Sequence, residues 1–242
     1  MRFLLLWFTL LGCSSALAAI QTQTSVNDVD IVWASSDGLR MEIYYSQRTN
    51  GVWQDPVQVT DDYYTNMYPV VDRDSTGKRW IFWTAYDNGR MEIHYTTGQG
   101  DEWQASEVLA AEKKTNISPS AVVDKEDRVW VTWSANDGEL DDIMYACFYN
   151  NSWSDPAPVH QENDTADMLP VIAVDGAGTP SIDWHTISDG RNAIVSSRWI
   201  DNGWTEPEFR QNEPESKEDS GEKTLELPSF LNRYSSVFIR VY

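Results

Sequence analysis

The sequence is short of cysteine, of positive charge and of long apolar runs, and each shortage removes a class of protein. Its two cysteines are Cys13 and Cys147, and Cys13 lies in the N-terminal leader, so the mature chain has no disulfide framework. Lys and Arg together number 18 against 38 Asp and Glu; a net charge of −20 repels a phosphate backbone and excludes nucleic acid as the partner of a basic surface. After Ile20 no apolar stretch is long enough to cross a bilayer as a helix, so no transmembrane segment is expected. His94, His160 and His185 share no metal-ligand spacing, and no cofactor is expected. Thirteen Gly and ten Pro are too few for a collagenous or low-complexity chain.

Aromatic residues are what the chain has in abundance. Twelve Trp and 11 Tyr in 242 residues, with 41% hydrophobic residues overall, describe a folded chain rich in β structure. At the N-terminus Arg2 precedes the apolar run Phe3 to Leu11, the n-region and h-region of an export signal. Two processing sites compete. Ala16-Leu17-Ala18 would make residues 1–18 a signal peptide, whereas the lipobox-like Leu10-Leu11-Gly12-Cys13 would make Cys13 a lipidation site. Either text implies export of a bacterial kind, to a secreted, periplasmic or outer-membrane lipoprotein location.

The Trp positions reveal an internal repeat. Trp33, Trp83, Trp133 and Trp184 are separated by 50, 50 and 51 residues, and Trp53, Trp103, Trp153 and Trp204 by the same intervals. Pro69, Pro119 and Pro170 keep that register, each 14 residues before a Trp, with an acid five residues after the Pro at Asp74, Asp124 and Asp175. Within a unit the apolar pattern has period two, as in Val129-Trp130-Val131-Thr132-Trp133. In the second unit four strands are expected: a around Pro69 to Val71, b around Arg79 to Thr84, c around Met91 to Thr96 and d around Trp103 to Leu109, with turns between them. Such a meander cannot bury both faces alone, and radial stacking of meanders gives a β-propeller.

The expected architecture is therefore all-β: four complete units over about residues 19–60, 69–110, 119–160 and 170–210, then a half unit. Counting back 14 residues from Trp33 puts the first strand a near Ala19. Residues 211–226 read as an acidic, solvated insertion, with six acids and two lysines between Glu213 and Glu226. Leu227-Pro228-Ser229 resembles Ser118-Pro119-Ser120, and Tyr242 falls 14 residues beyond Pro228, so residues 227–242 read as strands a and b of a fifth blade. That blade is incomplete, or is completed by the N-terminus or a second subunit, or the chain is a piece of a larger propeller.

The texts Asp37-Gly38 to Tyr45, Asp87 to Tyr95 and Trp53-Gln54-Asp55-Pro56 resemble repeats of the sialidase-like (neuraminidase or BNR-repeat) propeller superfamily. The family's Asp-box between strands c and d is worn here: Ser46 with Trp53, Thr96 with Gly100 and Trp103, Trp153 alone, and Ser197 with Trp204. Its Asp position holds Arg48, Gly98, Phe148 and Trp199. The resemblance implies the blade architecture. A sialidase would also need an arginine triad for a carboxylate and a Tyr nucleophile activated by Glu. Arg40, Arg90 and Arg191 each lie seven residues after a Trp and give a partial echo, but no Tyr-Glu couple is recognisable.

Two sets of loops carry the remaining candidates. Asp37, Asp87, Asp137 and Asp189 occupy the b to c turns beside glycines; they are either turn caps or a ring of carboxylates suited to sugar hydroxyls or Ca²⁺. The d to a loops are longer and less regular. There Tyr63, Tyr64 and Tyr68 offer rings for sugar C–H faces, and Asn66, Asn116 and Asp167 each stand three residues before the Pro. The recurring Trp residues are expected to pack between blades, and Cys147 to be an inert thiol. The reading that follows is an exported, non-catalytic propeller binding a glycan or another surface macromolecule at its loop face. The alternatives are a glycoside hydrolase drawing on the loop acids, among them Asp61, Asp62, Glu162, Asp164 and Asp167, and a scaffold for a protein partner or for self-association.

Overall fold

A computed structural model describes residues 21–22, 28–36, 38–161, 164–188, 191–210, 223–224 and 237–241. The leader with Cys13, most of the acidic segment 211–226, residues 227–236, Tyr242, Asp37, Glu162 and Asp189 lie outside the described residues. Those described form an all-β chain of antiparallel meanders, one for each repeat of the sequence.

The second unit shows the construction. Strand a (Thr65–Arg73) pairs with b (Arg79–Asp87), and b with c (Arg90–Gln99). Asp87 faces Arg90 across a two-residue turn in which Asn88 and Gly89 have φ of 48° and 83°, the left-handed values a hairpin of this length requires. The outer strand is broken into Glu102–Trp103 and Glu107–Ala110, where one continuous strand was expected. In the other three units the same gap holds Pro56, Pro156 or Pro207, which cannot donate to the ladder. The third unit repeats the order with Thr115–Val123, Val129–Asn136 and Asp142–Tyr149, and the fourth with Ala166–Val174, Pro180–Ser188 and Arg191–Ile200.

The first unit departs from expectation. Its strand b (Val29–Ser36) pairs with c (Met41–Thr49) on one side, but strand a is Val237–Val241, from the C-terminal end of the chain. The expected first strand near Ala19 and, of the expected half blade over residues 227–242, all but Val237–Val241 lie outside the described residues; Val237–Val241 serves the first unit and not a fifth. Without it the inner edge of Val29–Ser36 would carry unmatched backbone groups. Gln21–Thr22 pairs with Lys223–Thr224 instead.

Successive units pack face to face through aromatic side chains. Trp103 meets Tyr45 of the first unit edge-on at 5.0 Å. Trp153 meets Tyr95 and Phe82 of the second unit at 5.4 and 5.9 Å, and Trp204 meets Tyr145 and Trp130 of the third at 5.5 and 6.0 Å. In the fourth unit the corresponding receiving positions hold Ser181, Asp183 and Ser196, with the Ser196 hydroxyl bonded to Asp183 at 2.5 Å. Among the described residues the packing runs from first to second, second to third and third to fourth unit, as an open series.

The acids five residues after each Pro cap the a to b turns. Asp74 Oδ1 accepts from Thr76 N and Lys78 N, and Asp124 and Asp175 do the same in their units. The c to d turns share one hydrogen bond in three units. Ser46, Thr96 and Ser197 each donate to the carbonyl of the residue after the outer Trp, all at 2.7 Å. At Gly98, in the same turn of the second unit, a Cβ would lie 2.5 Å from the Trp103 ring.

Candidate functional site at the loop face

The b to c turns and d to a loops meet at one end of the units and are bonded to each other. Arg40 Nη1 donates to Asp62 O at 3.3 Å and Arg90 Nη2 to Ala111 O at 2.6 Å. Asp137 Oδ1 accepts from Lys114 N at 3.2 Å, and its other oxygen pairs with Lys113 Nζ at 2.7 Å. The Lys113 hydrogen bond holds the Asp137 carboxyl below the usual carboxylate range. Arg40 and Arg90 thus brace neighbouring loops; Arg191 lies in its strand next to that turn, and its side chain is outside the described set.

Asn66 and Asn116 are fully enclosed, at 0% and 1% exposure, and their hydrogen bonds are used within the fold. Asn66 Oδ1 accepts the Trp83 indole N–H at 2.7 Å and Asn116 Oδ1 that of Trp133 at 3.1 Å. Asn66 Nδ2 donates to Asp62 Oδ1 at 3.0 Å and to Glu42 Oε2 at 3.2 Å, while Asn116 Nδ2 donates to the Lys113 and Met91 carbonyls. Expected as ligand contacts, they are buried and seat the recurrent Trp of their units beneath the loops. In the fourth unit Asp167 is also buried, and it pairs with His160 Nε2 at 2.9 Å. The His160 ring stacks on Trp184 at 5.5 Å with its Nδ1 2.7 Å from Gln161 O. Oxygen acceptors at both ring nitrogens favour the cation, and Asp167 raises the His160 pKa.

Of the tyrosines of the first d to a loop, Tyr63 and Tyr68 are exposed and Tyr64 is half-buried against the core. Tyr63 is 60% exposed and stacks on Tyr64 at 4.4 Å, their hydroxyls 3.1 Å apart. Asp62 Oδ1 fixes the loop by accepting Tyr64 N at 2.9 Å, and the edge of Tyr64 rests on His94 at 4.7 Å. The hydrogen bond to Tyr63 pushes the Tyr64 hydroxyl up to about 12, with burial and the negative charges of Glu92 and Asp87 acting in the same direction. Tyr68, with φ of 53° at the bulge before Pro69, is exposed as well, as is Tyr86 opposite Thr65. The structure therefore gathers Tyr63 and Tyr64 between the Arg40 and Asp87 turns, and removes Asn66, Asn116 and Asp167 into the core.

Sequence reasoning missed the groups under the tyrosines. Glu92 pairs with His94 Nε2 at 3.0 Å, and buried Glu42 accepts the Thr60 hydroxyl at 2.5 Å. A signal was present, since Glu42, Glu92 and Asp142 recur at the 50-residue interval just before Ile43, Ile93 and Ile143. Among the described residues no group of three His, Cys, Asp or Glu side chains is arranged to hold a metal. The surface the site offers is an aromatic face with hydroxyl donors and acceptors, rigidly supported from below.

No family model matches the chain, and no curated protein matches it. Solved structures share its fold at low identity. A protein of unknown function from Dyadobacter fermentans aligns with 71% of this chain and 58% of its own, at 11% identity and TM-score 0.57. An α-L-arabinofuranosidase of Fusarium graminearum, in complex with arabinobiose, aligns over 74% and 61%, at 11% and TM-score 0.56. A polysaccharide lyase, an ulvan lyase, aligns over 76% and 56%, at 12% and TM-score 0.53. The matched region thus spans less than two thirds of each of these structures. They define the class: an all-β chain of propeller-type meanders.

Proposed function

We propose that this chain is an exported glycan-binding propeller module that engages sugar through Tyr63 and Tyr64 at the loop face between its first and second units. The carrying observation is the stacked tyrosine pair, with Tyr63 exposed and Tyr64 half-buried beneath it, held by Asp62 and His94. Stacked phenols match the C–H face of a pyranose or furanose ring, and their hydroxyls match its hydroxyl groups. The carbohydrate-active proteins among the fold's neighbours support the same ligand class. A binding role without catalysis is favoured because two of the acids available to a hydrolase are already committed: Asp62 to Asn66 and Tyr64, Asp167 to His160. In this reading the units are blades of a propeller whose first blade is completed by Val237–Val241, and the leader directs the chain out of the cell, cut after Ala18 or lipidated at Cys13.

A glycan array probed with the mature protein, with and without Ca²⁺, tests the proposal. Reproducible binding to one sugar class that is lost in Tyr63→Ala supports it, and a blank array over a broad panel overturns it. A protein-binding scaffold is the second reading, favoured by Ile187, Ile194 and Phe209 of the fourth unit, which are 39%, 39% and 67% exposed. Concentration-dependent sedimentation of the pure chain would support its self-associating form.

A further inference from the structure

The charges around the tyrosine pair restrict what kind of glycan can approach. Asp61 is exposed beside Tyr63, Asp62 lies beneath it, and Asp87 and Glu92 stand close enough to act electrostatically on the Tyr64 hydroxyl. Four carboxylates, Asp61, Asp62, Asp87 and Glu92, stand there against two guanidinium groups, so the nearby cations offset this field only in part. Arg40 is engaged with the Asp62 carbonyl; Arg90 donates to the Ala111 carbonyl and lies 3.8 Å from Glu92. Farther along the same face Lys113 is paired with Asp137. A ligand carboxylate or sulfate arriving over the tyrosines would meet net negative charge, with one guanidinium donor of Arg40 and one of Arg90 held by loop carbonyls. Hydroxyl groups meet acceptors, which is favourable. The whole chain, at −20, repels anions at longer range as well.

We infer that the ligand of this loop face is an uncharged glycan and that its anionic counterparts are rejected. The inference rests on the glycan-binding reading above and departs from the carboxylate-bearing sugar implied by the resemblance to sialidases. The test uses matched pairs on one array: lactose against sialyllactose, and methyl-esterified against free oligogalacturonides. The neutral member of any bound pair should bind at least about tenfold more tightly at 20 mM salt, and the gap should narrow towards about 500 mM as screening sets in. Asp61→Lys should then raise the affinity for the anionic member severalfold relative to that for the neutral one.

Tighter binding of a carboxylated member, weakening as salt rises, would overturn the inference while leaving the glycan-binding reading intact. Binding of neither member of any pair would instead remove that reading, and this inference with it.

Discussion

Arg240 of the C-terminal strand reaches Asp72 of the second unit, 168 positions away in the chain, with Nε 3.1 Å from Oδ1 and a second contact from Nη2 to Oδ2. Both side chains are buried, and Asp72 Oδ2 also accepts Val123 N of the third unit at 2.9 Å. One carboxylate therefore ties three units together. Burial outweighs the Arg240 charge and holds the Asp72 carboxyl above its usual range. Arg240→Met leaves that carboxylate without its cation and should cost about 3–5 kcal/mol in urea unfolding. Combining it with Asp72→Leu should recover much of the loss, because the unpaired charge is then gone. A single variant as stable as the wild type would show that the pair does not fasten the C-terminal strand.

Asn66 and Asn116 are expected to matter for stability. Asn66→Leu removes the acceptor of the buried Trp83 N–H, and Asn116→Leu that of Trp133. Each should lower unfolding free energy by about 1–3 kcal/mol, read by chemical denaturation. Unchanged midpoints would mean that the indoles find other acceptors.

His160 gives a pH signature of known sign. Its pKa is raised in the folded state, first by the hydrogen bond to Asp167. The stabilisation is therefore fully present below the unfolded value of about 6.5 and is lost as pH rises through the folded value. His160→Gln should flatten this part of the Tm profile above about pH 6, and the wild-type ring should titrate late by NMR. A wild-type His160 titrating at or below the free-imidazole value would contradict the Asp167 pairing.

Cys147 should be slow to alkylate. Burial pushes its thiol up to about 12, so little thiolate exists at pH 8. Iodoacetamide should modify the native chain more than about a hundredfold more slowly than the urea-unfolded chain. Equal rates would mean that the third unit opens readily.

The repeat was legible because its inner Trp residues are buried in all four units and three of its outer Trp residues pack on the preceding unit, so each copy keeps the same residue at the same spacing. The outer Trp needs an aromatic floor on the preceding unit, and Tyr45, Tyr95 and Tyr145 supply it at that same interval. The pairing of Val237–Val241 with Val29–Ser36 was not legible. Strand partners far apart in sequence leave no periodic trace, and the spacing of Tyr242 from Pro228 suggested a fifth copy. At the site, sequence showed which residues were polar and recurrent. It did not show that Asn66 turns inward to an indole while Tyr63, three residues earlier, stays in solvent. That difference is set by the loop's own hydrogen bonds to Asp62, which no spacing reveals.

The most direct test is calorimetric titration of the array's best neutral oligosaccharide into wild-type protein, Tyr63→Ala and Tyr86→Ala. Tyr86 is exposed nearby but lies outside the stacked pair. Loss of a stacking ring should weaken binding by about 1–3 kcal/mol, roughly fivefold or more, in Tyr63→Ala, with little change in Tyr86→Ala. Equal affinity for wild type and Tyr63→Ala would contradict the assignment of the loop-face tyrosines as the glycan site.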